Sequence, residues 1–124
     1  MTLEEFEILV QQALKTLPAQ FAEKLNNVEV LVEAWPTRED LLSVRAHPNT
    51  TLFGLYRGVP QPQRRNYSGV TPDIIVIFAG PILMYFGENE DRLKTQIQKT
   101  LFHEIGHHFG MSEEEIRKAQ LKLR

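Results

Sequence analysis

His103 and His107 are four residues apart in the stretch "HEIGH", and Glu104 follows the first of them. On a helix this i, i+4 spacing stacks two imidazoles on one face, so both can reach one ion. Glu104 lies about 100° around such a helix from His103. It can flank a metal without binding it, which is where a general base must sit to take a proton from an activated water. Two imidazoles with one oxygen ligand suit zinc and leave a fourth position for that water. The pattern therefore points to metal-assisted hydrolysis, with Glu104 taking the proton and then delivering it to the leaving group.

A third ligand requires the chain to reverse after the helix. Gly110 makes that reversal cheap, because a positive φ carries no side-chain penalty there. Three glutamates follow it, Glu113, Glu114 and Glu115, behind Ser112. The chain contains no cysteine, so any metal must be held by imidazole and carboxylate, and no disulfide is possible.

The elements that must position these residues can be read from hydrophobic spacing. Leu93, Ile97, Leu101 and Ile105 recur every fourth residue from Asn89 onward. This predicts a long helix with Asn89 as N-cap, an apolar stripe on the core, "HEIGH" near its end and Gly110 as its stop. Ser112 then starts a last helix, with Glu115 in capping-box position. Upstream, residues 2–17 read as an amphipathic helix capped by Thr2 and Glu5, and Pro18 opens a short helix through Leu25. The alternating, valine-rich segment 28–35 reads as a strand, and 37–44 as a short helix with Thr37 as N-cap and Asp40 three residues on. Residues 51–58 and 73–80 read as two further strands, the second apolar on both faces and so covered on both. Residues 59–72, with three prolines, read as a loop, and "PILMYF" (81–86) as a short fourth strand or a turn. Helices and strands mix without strict alternation, so the expected class is α+β with one small mixed sheet of three to four strands packed against helices.

At 124 residues the chain is expected to form one domain, residues 1–124, with its own core. A net charge of -2 provides no electrostatic drive toward nucleic acid, so none is expected as a partner. The acidic N-terminal segment lacks the basic start of a signal peptide, and no apolar run approaches the ~18 residues of a membrane span. The expected location is cytoplasmic, away from membranes.

The segments "LFGLYRGVP", "TPDIIVIFAGPIL" and "HEIGHHFGMSE" resemble the minimal zincins, small bacterial proteins identified as zinc metallopeptidases. The last matches the zincin signature His-Glu-x-x-His-x-x-Gly-x-x-(His/Asp/Glu). The resemblance is close over roughly residues 50 to 115 and looser before them. It implies a zincin-like fold, Zn2+ as cofactor, a peptide or protein substrate, His103, His107 and Glu113 as metal ligands, and Glu104 as the catalytic base. Larger zincins carry a C-terminal subdomain that walls the cleft. Here eleven residues follow Glu113, so a cleft open on one side is expected.

The residues themselves leave the third ligand between Glu113 and Glu114, since the capping box uses Glu115. Glu113 would stand at the turn, nearest the preceding helix. His108 points about 100° away from His107 and is expected outside the ligand set. Tyr56, Arg57 and Tyr67 are candidates by residue type for stabilising an oxyanion. Two other functions compete with a peptidase. One is a metal hydrolase acting on RNA, against which Glu104 and the net negative charge both count. The other is a binding or regulatory module that keeps the scaffold without turnover.

Overall fold

A computed structural model of the protein describes residues 1–26, 28–43, 52–57 and 73–121, without the side chains of His107, His108 and Gln120. The elements run α1 (Leu3–Lys15), α2 (Ala19–Lys24), β1 (Val28–Glu33), α3 (Arg38–Ser43), β2 (Gly54–Arg57), β3 (Asp73–Phe78), α4 (Ala79–Phe86), α5 (Glu90–His108) and α6 (Glu113–Leu121). The class is α+β, as expected. The predicted loop 59–72, with Tyr67 in it, lies outside the described residues.

The sheet has the order β1-β3-β2, with β1 parallel and β2 antiparallel to β3. Central β3 explains the continuous apolar run "IIVIF", because both of its faces are covered. Ile75 and Ile77 enter the main core, Val76 and Phe78 pack with Leu55 on the other face, and all four are 0% exposed. The main core lies between the sheet and helices α1, α2, α4, α5 and α6. The predicted stripe of α5 is its spine: Leu93, Ile97, Leu101 and Ile105 are fully buried. Phe102 meets Phe21 edge to face at 4.5 Å, which ties α2 to the same helix.

Caps set the helix starts. The Thr2 hydroxyl accepts from Glu5 N–H and the Glu5 carboxylate accepts from Thr2 N–H, both at 3.1 Å. Thr37 and Asp40 repeat this box at α3. Asn89 accepts from Arg92 N–H at 3.1 Å and caps α5.

One segment differs from expectation. "PILMYF" is neither strand nor turn but most of helix α4, which begins directly at Ala79 as β3 ends. Proline is tolerated there because Pro81 sits in the first turn, where N–H groups lack intrahelical partners. Ala79 and Ile82 are buried while Met84 and Tyr85 face outward, so the helical period wins over a strand's alternation. Among the described residues no helix is long and apolar enough to cross a membrane.

Candidate metal centre

The site is built from the end of α5, the turn after it and the first residue of α6. Gly110 has φ +78°, and Met111 N–H donates to the carbonyl of Gly106 at 2.8 Å. This 6→1 bond with a left-handed glycine is the Schellman stop, which reverses the chain within a few residues. Helix α6 then packs back onto α5. Gly106 is what permits the contact, since a Cβ there would lie 2.6 Å from both Cγ1 and Cδ1 of buried Ile116. A helix-interior glycine costs about 1 kcal/mol against alanine. Here the cost is offset by the close approach of the turn-following helix rather than of the sheet.

The three consecutive glutamates separate cleanly. Glu115 closes the capping box: its carboxylate accepts from Ser112 N–H at 3.3 Å, and its own N–H donates to the Ser112 hydroxyl at 3.1 Å. Glu114 stands 3.5 Å from Lys118, one turn on. Glu113 is directed back across the turn, with Oε1 3.5 Å from Nε2 of His103. Both side chains are more than half exposed.

That 3.5 Å separation provides a test of fit. Two ligands each ~2.1 Å from a tetrahedral zinc ion stand about 3.4 Å apart. The imidazole and carboxylate already have the spacing of two ligands of one ion, and the donor types suit zinc. Position 107 follows one helical turn after position 103 on α5, but the His107 side chain lies outside the described residues.

Glu104 is directed toward the sheet. Its Cγ would lie 3.5 Å from a Cβ placed on Gly54 of β2. Gly54 pairs with Ile77, so it shares the helix-facing side of the sheet. A Cβ there would also come within 2.4 Å of Thr100 Cγ2. Glycine at this position thus lets the edge strand lie against the helix that bears His103 and Glu104. Between them opens a cleft of about 300 Å³, lined by Leu52, Phe53 and Gly54 on one side and by Thr100, His103 and Glu104 on the other. A groove of about 610 Å³ between α1 and β1 contains none of the predicted site residues.

Two of the oxyanion candidates have other partners. The Arg57 guanidinium binds Glu33 through Nη1 and Nη2 at 2.9 and 3.1 Å, and Asp40 through Nη2 at 2.7 Å. The Glu33 carboxylate holds its pKa above the usual arginine value against burial, with Asp40 adding to the effect. Burial pushes the Asp40 carboxyl up, but hydrogen bonds from Thr37 and Arg57 prevail and hold it below its ordinary value. Tyr56 donates to buried Asp73 at 2.5 Å. Arg57 therefore clamps β1, β2 and α3 together. The cleft wall formed by Thr100 and Gly54 escaped sequence reasoning. A glycine inside a strand signals close backbone approach, but not to which neighbour.

A model of the family described as zincin-like metallopeptidase matches residues 25–123 of the chain. A comparison with curated proteins found no match.

Proposed function

Since the chain belongs to the zincin-like metallopeptidase family, we propose that it is a zinc-dependent peptidase in which His103, His107 and Glu113 hold the metal and Glu104 is the general base. The observation that carries this reading is the 3.5 Å approach of His103 Nε2 and Glu113 Oε1 beside the cleft that Glu104 lines. Zinc, when bound, supplies Lewis acidity, which acidifies water and polarises a carbonyl oxygen. Glu104 accepts a proton from water as the water oxygen bonds to the scissile carbonyl carbon. The C–N bond then breaks as Glu104 returns that proton to the amine nitrogen. Ser112 and Glu115 cap the start of α6, of which Glu113 is the first residue.

Strand β2 provides a way to orient the substrate. It pairs with β3 on one side and is an edge of the three-stranded sheet among the described residues. A peptide lying against it as an added strand would have its backbone fixed beside His103 and Glu104. The peptide is thereby the proposed substrate class.

The test is Glu104→Gln, which keeps shape and removes the base. Zinc content should match wild type, while cleavage of a peptide library should fall by about 10²- to 10⁴-fold. A chelator should abolish wild-type cleavage, and added zinc should restore it. Normal cleavage by Glu104→Gln would overturn the mechanism. Wild-type protein that binds zinc but cleaves nothing would favour a binding module on this scaffold.

A further inference from the structure

A second cavity of about 320 Å³, lined by Phe86, Asp91, Arg92, Thr95, Gln96 and Lys99, opens further toward the start of α5. It and the cleft beside His103 share Gln96 and Lys99 in their walls, so they adjoin and together line a channel-like stretch of the helix. Arg92, Gln96, Lys99 and His103 are spaced 4, 3 and 4 residues apart, which places them within an arc of about 60° on one helical face. Phe53 stands over the channel, edge to face with Tyr85 at 5.7 Å and Phe86 at 5.6 Å.

The charges along this stripe are specific to position. Glu104 and Glu113 are at the metal end, and Asp91 is at the far end. Between them Lys99 is exposed, and among the described residues it has no ion-pair or hydrogen-bond partner. Arg92 lies over the Phe86 ring at 5.9 Å. An ammonium without a counter-ion on the floor of a channel can accept a carboxylate from a ligand without first breaking a bond. The helix rise of 1.5 Å puts Lys99 ~6 Å along the axis from His103, and an extended peptide advances ~3.3 Å per residue. A side chain above Lys99 is therefore about two residues from the bond held at His103.

We infer that the channel running from His103 toward the start of α5 is a substrate subsite in which Lys99 selects an acidic side chain, about two residues from the cleaved bond and on one side of it. This rests on the peptidase reading. The aromatic wall of Phe53 covers the substrate stem while the carboxylate reaches the lysine. The preference belongs to one side because the stripe leaves His103 in one direction only.

Two measurements test it. Zinc-loaded wild type digests a random peptide library, and the residues flanking each cut are read by mass spectrometry. Asp and Glu should be enriched about two residues away on one side only, and Lys99→Glu should replace them with Lys and Arg. Separately, zinc-loaded Glu104→Gln is titrated with labelled peptides that differ by one Glu-to-Gln change at that position. The Glu peptide should bind about two- to fivefold more tightly, the range for an exposed ion pair, and the difference should vanish in Glu104→Gln/Lys99→Gln. Cleavage with no acidic preference, or equal binding of both peptides, overturns the inference and leaves the peptidase reading intact. Lysine-dependent binding without any wild-type cleavage sinks the peptidase reading and, with it, the substrate subsite, leaving Lys99 as part of a peptide-binding site.

Discussion

Replacing Gly106 with alanine sets two effects of similar size against each other. Alanine in a helix interior is favoured over glycine by about 1 kcal/mol, so the isolated helix gains. In the folded protein the new Cβ would lie 2.6 Å from Cγ1 and Cδ1 of Ile116. Ordinary carbon contacts are ~3.5–4.0 Å, so Ile116 must retreat by roughly 1 Å. It is 2% exposed and has little free space to enter. Overpacking of this kind costs about 1–3 kcal/mol. The retreat carries α6 with it, and Glu113 is the first residue of α6, three positions before Ile116. The His103–Glu113 separation of 3.5 Å would then widen beyond what one zinc ion spans. Gly106→Ala should therefore bind zinc about tenfold or more weakly, within the range for displaced ligand supports, while apo stability changes by less than about 2 kcal/mol. Competition against a chromogenic chelator measures the first, and denaturant unfolding of the apo protein the second. Ile116→Ala should restore part of the affinity in the double variant, because both clashing atoms are gone, and the two changes should be non-additive. Wild-type zinc affinity combined with a gain of about 1 kcal/mol in Gly106→Ala would refute the claim that this contact positions Glu113.

The three glutamates should separate by experiment as they do in space. Glu113→Ala should weaken zinc binding far more than Glu114→Ala, and Glu115→Ala should lose about 1 kcal/mol of stability while keeping zinc; equal losses of zinc would overturn the assignment. Arg57→Met should cost about 1–3 kcal/mol in urea unfolding, reduced from the buried-pair range because Arg57 is one-third exposed, with zinc stoichiometry unchanged. A large fall in turnover by a stable Arg57→Met protein would instead put Arg57 at the reacting atoms. Asp40 has a folded pKa below its ordinary 3.8, so its contribution is complete above that value and is lost as pH falls through the folded pKa. Acid unfolding should accordingly be less cooperative with Asp40→Asn, and an unchanged acid profile would remove Asp40 from the account.

Much of this arrangement was legible because its causes are local. The capping boxes at Thr2–Glu5 and Ser112–Glu115 and the N-cap at Thr37 each join residues three apart; each forms as read, and Asp40 completes a further box with Thr37. The four-residue stripe of α5 predicted its buried face because side-chain direction follows from helical rotation alone. "PILMYF" was misread because a six-residue apolar run has no decisive period. What decided it was Pro81 falling in a first turn and Ile82 meeting the core, and both depend on where β3 ends.

The sequence by itself determined the i, i+4 register of His103 and His107 on a helix, the glycine that reverses the chain and the serine box that occupies Glu115. These depend on covalent geometry and contacts within about five residues. Only the tertiary structure decided that Glu113, and not Glu114, comes to His103, because that outcome depends on how closely Ile116 can approach Gly106. The same holds for Gly54 against Thr100, and for Arg57, whose partners lie 17 and 24 residues away in the chain. Such contacts form only when separate elements are packed together, and no local pattern of residue types encodes the distance at which they meet.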